Sequence, residues 1–131
     1  MTAATATIGI SKIGQIAVRV HDVDRATAFY RDVLGLSFLF STGALTFFNC
    51  GGVRLMLSKA EKPEFDHPGS ILYFVVPDIH AAFAQMKSAG ARFEDEPHLI
   101  AKLPDHDLWM TFFKDPEGNT LSLMSEVRAA A

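Results

Sequence analysis

One pattern occurs twice along this chain at a constant offset, and it restricts the fold more than any single residue does. Val20, Asp22 and Ala26 return as Val76, Asp78 and Ala82. In the first occurrence Ile16, Val18 and Val20 alternate with Gln15, Ala17 and Arg19, which is the period of a strand. Asp22 or Asp24 can accept a hydrogen bond from a free amide at a helix start. Val23, Ala26, Tyr30, Val33 and Leu34 then keep helical spacing up to Gly35. Three short strands are predicted next, over 36–40, 45–49 and 53–58, with turns at Thr42 and Gly43 and at Gly51 and Gly52. A polar linker, 59–69, carries Pro63 and Pro68. After it the order restarts, with a strand over 71–76, a cap at Asp78 and a helical face through Ile79, Ala82, Phe83, Met86 and Ala89. Gly90 ends that helix, and strands over 92–94, 107–114 and 120–124 follow.

The repeated unit is thus strand, helix and three strands, an α+β arrangement. A single unit leaves one sheet face uncovered, and pairing two units buries it. The expectation is one domain over 1–131, with module one at about 13–58 and module two at about 70–126. At 131 residues with 49% hydrophobic and 21% charged residues, the chain can bury a true core. The net charge of −3, with twelve Lys and Arg dispersed, excludes the concentrated basic stripe of a nucleic-acid surface. Cys50 is the only cysteine, so no intrachain disulfide or cysteine-rich metal knot can form. Residues 1–10 have neither a basic start nor a long apolar run, and no stretch reaches the roughly 18 apolar residues of a membrane span. The expectation is a cytoplasmic protein with no membrane partner.

Two motifs carry a family resemblance. One is Ala28-Phe29-Tyr30-Arg31-Asp32-Val33-Leu34-Gly35-Leu36, after the first strand. The other is Asp115-Pro116-Glu117-Gly118-Asn119, a tight turn before the last strand. With the doubled unit, they make the chain resemble the vicinal-oxygen-chelate superfamily, also called the glyoxalase/bleomycin-resistance/extradiol-dioxygenase superfamily, over about 13–126. The resemblance implies a curled, incomplete eight-stranded mixed barrel with helices outside and a cavity inside, commonly in a homodimer. It also implies that enzymes of the family hold a divalent metal on four inward side chains, to polarise vicinal oxygens of a substrate.

Those four positions fall here on Gln15, Met56, Ile71 and Ser122. Gln15 is a credible ligand type. The Met56 thioether is too soft for an oxygen-rich site, Ile71 has no donor, and Ser122 is a weak neutral one. The reading is therefore of a cavity without a divalent-metal cofactor. His98 and His106 flank the loop of the second module and are candidates for a general base at the cavity mouth. His21, His67 and His80 read as solvated.

Alternation puts Arg19 on the inward face with Gln15, where the resemblance implies an anchor for a substrate carboxylate. Arg54, Met56, Tyr73 and Ser122 share that face. Residues 108–113 are apolar on both faces, and the resemblance favours Met110 and Phe112 inside. An apolar, aromatic pocket with a few polar anchors suits a small organic ligand, aromatic or anionic. Three readings stay open. One is a metal-free binding protein, which the missing ligands favour. The second is a lyase, isomerase or dioxygenase-type enzyme with an atypical metal or acid-base site. The third is a ligand-free dimer.

Overall fold

In the computed structural model, which describes residues 8–129, the doubled unit folds as two sheets. Module one comprises β1 (Gln15–Arg19), α1 (Val23–Ala28), β2 (Ser37–Ser41), β3 (Leu45–Cys50) and β4 (Val53–Ser58). Its strand order is β1-β4-β3-β2, with β1 parallel to β4. Module two comprises β5 (Leu72–Val75), α2 (Ile79–Ser88), β6 (Arg92–Phe93), β7 (His98–Lys102), β8 (Asp107–Lys114) and β9 (Thr120–Val127). Its order is β5-β9-β8-β6, with β7 also on β8. The class is α+β, as the repeat implies, and neither sheet closes on itself.

Three local features differ from the sequence expectation. Among the described residues there are nine strands rather than eight, because β7 forms inside what reads as a loop. Pro97 and Pro104 bracket it, and its pairing with β8 shifts register between Leu99 and Ala101, so no clean alternation announces it. The first helix is not uniformly α-helical: after α1 it widens into a π-helical turn over Phe29–Val33. The linker contains a short 3-10 turn, Pro63–Phe65. The caps behave as expected. Asp22, not Asp24, accepts from the amide of Arg25, and Asp78 accepts from those of His80 and Ala81. Gly35 and Gly90 take positive φ, 71° and 96°, where a side chain would be strained.

Each helix covers one face of its sheet. Val20, Ala26, Tyr30, Phe48 and Leu57 form the buried side of module one, and Ile79, Phe113, Leu121 and Leu123 that of module two, in one continuous cluster. The two modules are stapled where the two motifs meet. The Tyr30 hydroxyl donates to Asp115 Oδ2 at 2.7 Å, and Asn119 Nδ2 donates to the Arg19 carbonyl at 3.1 Å. The opposite sheet faces have no helix over them: Phe40, Ile71, Tyr73 and Val75 are exposed there.

Candidate functional site

Strand pleat decides which side chains leave the core. On β1, Ile16 and Val18 pack on the helix side, so Gln15, Ala17 and Arg19 face the other way. Register carries this across the sheet. Gln15 lies opposite Arg54, Ala17 opposite Met56, and Met56 opposite Phe47. In module two, Tyr73 lies opposite Ser122 and Ser122 opposite Phe112, while Met110 faces Met124. Trp109, Thr111 and Phe113 take the helix side. Met110 and Phe112 therefore stand on the face of β8 away from the helix, but neither lines the seam cavity.

These residues divide into two groups. Arg19 and Met56 line a cavity of about 650 Å³ at the seam between the modules. Its other walls are the linker, through Phe65, His67 and Pro68, and the starts of β5 and β9, through Ile71 and Thr120. Gln15 reaches its edge only through Met56, its Nε2 donating to Sδ at 3.8 Å. Arg54 lies over the Phe47 ring, 5.6 Å from its centre. Tyr73, Phe112, Ser122 and Met110 form a separate patch on the open face of module two, with the Tyr73 and Phe112 rings 5.9 Å apart edge to face. His98 and His106 line neither wall of the cavity. The His98 Nδ1 donates to the Glu96 carbonyl, and His106 sits on Asp105. His67 is the histidine in the cavity wall.

The donor set at the four positions is poor for a hard divalent ion. The Gln15 amide turns to a thioether, and Ile71 offers nothing. Ser122 is fully buried, with its hydroxyl 3.0 Å from the carbonyls of both Thr111 and Leu123. Among the described residues, no three His, Cys, Asp or Glu side chains converge as a metal-binding group.

Arg19 is the electrostatic focus of the cavity. Its side chain is 19% exposed, and its nearest anion, Asp66, stands 3.8 Å from Nε. Among the described residues, Arg19 Nε is the one buried side-chain nitrogen or oxygen without a hydrogen-bond partner. A guanidinium stays charged and is costly to leave unmatched. Sequence alternation places Arg19 correctly, but Asp66 and His67 come from a linker with no periodic pattern, and no local signal brings them here. Behind the wall, Glu117 is 1% exposed and accepts from Arg25 at 2.7 Å and from the amides of His21 and Asp22. Burial alone would raise its carboxyl, but Arg25 and the two amides outweigh it and hold it below the usual range.

The class of protein is a two-module α+β fold with a cavity at the seam. The sequence supplies the rest: residues 12–123 match the model of the Glyoxalase/Bleomycin resistance protein/Dioxygenase superfamily, and the chain belongs to that superfamily. Among solved structures, it is similar to a lactoylglutathione lyase from Agrobacterium tumefaciens, at 25% identity and a TM-score of 0.68, covering 88% of this chain and 94% of that one. A superfamily member from Sphaerobacter thermophilus superposes with a TM-score of 0.75 at 21% identity, covering 89% and 98%. Another from Nocardioides does so at 0.70 and 19%, covering 95% and 89%. The last two show likeness of fold alone. A comparison with curated proteins finds no match. No helix among the described residues is long and apolar enough to cross a membrane.

Proposed function

We propose that this superfamily member binds a small organic anion with an apolar body in the seam cavity, without a divalent metal. The observation that carries the reading is the unpaired Arg19 Nε in a cavity walled mainly by Met56, Phe65, Ile71 and other apolar groups. A carboxylate or similar oxyanion supplies the missing acceptor, while the apolar wall takes the rest of the ligand. A second copy of the chain would cover the separate patch around Tyr73 and Phe112 on the open face of module two. The test is a thermal-shift screen of small aromatic and aliphatic carboxylates, with elemental analysis of protein purified without metal-affinity resin. Carboxylate hits that raise Tm in wild type and vanish in Arg19→Ala are the expected result. Hits unaffected by Arg19→Ala, or a stoichiometric transition metal, would overturn it.

His67 favours a second reading, as an acid-base enzyme. Its Nδ1 lies 2.9 Å from the Pro68 carbonyl, which can only accept, so Nδ1 carries the proton and Nε2 is left as a base in the cavity wall. Turnover of a hit carboxylate that is lost in His67→Ala, with binding retained, would establish that reading over simple binding.

A further inference from the structure

The linker reaches the rest of the molecule through one side chain. Among the described residues, every side-chain hydrogen bond from 59–70 to the modules is made by Asp66. Its two carboxylate oxygens lie 2.8 and 3.0 Å from His21 Nε2, and one of them is 3.8 Å from Arg19 Nε. Both cationic posts are fixed. Arg19 belongs to β1, and His21 is tied down by its amide, which donates to Glu117 Oε1 at 2.6 Å. Asp66 is carried by the linker strip that also supplies Phe65, His67 and Pro68 to the cavity wall.

We infer that Asp66 is an internal competitor for the anion site, and that the charge on His21 decides which post it takes. The inference rests on the reading of Arg19 as an anion anchor. With the imidazole protonated, Asp66 holds the contact to His21 seen at 2.8 and 3.0 Å and leaves Arg19 Nε without an acceptor. With the imidazole neutral, the ion pair to His21 is gone. The permanently charged guanidinium then becomes the stronger partner. A shift of about 1 Å brings Asp66 within hydrogen-bond range of Arg19 Nε and fills the place of the ligand carboxylate. Histidine is the side chain that changes charge between pH 5 and 8, so anion affinity falls as pH rises through that interval. The surroundings bear on the same ring. Glu117 stands 3.8 Å from His21 Nδ1 and is neutralised by Arg25. Asp22 is its chain neighbour, and Lys59, Glu61 and Lys62 of the linker share a small surface recess with His21 and Asp66. Only Asp66 touches both His21 and Arg19.

Benzoate, which stays ionised throughout, is a suitable probe. Its affinity is measured by calorimetry at pH 5.5 and 8.0 in wild type and in the His21→Gln, Asp66→Asn and Arg19→Ala variants. Hydrogen exchange of 62–68, corrected for intrinsic rates, is followed without ligand. Wild type is expected to bind about two- to fivefold more weakly at pH 8.0, the scale of one partly exposed ion pair. His21→Gln binds weakly at both values, Asp66→Asn binds tightly at both, and linker exchange quickens in Asp66→Asn alone. A pH effect that persists in Asp66→Asn, or equal wild-type affinities while Arg19→Ala still abolishes binding, sinks the switch and leaves the anion site standing. Benzoate binding unchanged in Arg19→Ala, or absent from every variant, removes the anion site and the switch with it.

Discussion

Tyr30 and Asp115 are both fully buried and separated by 85 residues of chain, yet their side chains meet at 2.7 Å. Asp115 also accepts from Asn119 Nδ2 and from the amides of Glu117 and Asn119, so this buried carboxylate is well satisfied. Burial, and the Asp115 charge next, push the Tyr30 phenol well above its ordinary value. A folded-state value above the unfolded one means stability that is complete below about pH 10 and lost as pH climbs above it. Tyr30→Phe removes one donor to a charged acceptor and should cost about 1.5–3 kcal/mol at pH 7, read from urea unfolding. It should also lose less stability than wild type between pH 9 and 11, since position 30 no longer supplies a phenol that ionises in the unfolded chain. An alkaline limb identical in both proteins would show that Tyr30 is not the titrating group. The two motifs were visible as words in the sequence. That their central residues clasp each other was not, because a contact across 85 residues leaves no local period.

At the scale of elements, the sequence was most legible where a strong period met a capping residue. The helix α2 is the clearest case: Asp78 opens it by accepting two amides, and Gly90 closes it. Asp78→Ala should destabilise the protein by about 1 kcal/mol with an unchanged urea m-value, the ordinary cost of a lost N-cap. A full loss of cooperativity would mean that α2 is held by something other than its cap and its buried Ile79 and Met86. Strand β7 lies at the other extreme. His98, Leu99, Ile100 and Lys102 are all exposed, so no alternation between core and solvent selects its register, and pairing to β8 alone forms it. The cavity shows the same division. Arg19 and Met56 follow from the pleat of β1 and β4, whereas the wall supplied by Phe65, His67 and Pro68 depends on where an aperiodic linker comes to rest.

The whole molecule presents more surface than its mass warrants. A folded chain of 14.3 kDa is expected to expose about 6,800 Å², and this one exposes 8533 Å². The N-terminal arm accounts for part of the excess through Ile8, Ile10 and Ile13. On the sheet faces that no helix covers, Val75 is 71% exposed, Phe40 49% and Tyr73 44%. An exposed apolar sheet face of this kind is a candidate surface for self-association. A stable homodimer needs about 800 Å² from each partner. The expected solution species is therefore a dimer, with a sedimentation mass twice that of the chain at micromolar concentration. Tyr73→Lys combined with Val75→Glu, on the exposed side of β5 and away from the seam cavity, should give a folded monomer with unchanged helical circular dichroism. If sedimentation finds wild type monomeric at that concentration, the open faces are not a self-association surface, and the seam cavity, which Phe40, Tyr73 and Val75 do not line, keeps its reading.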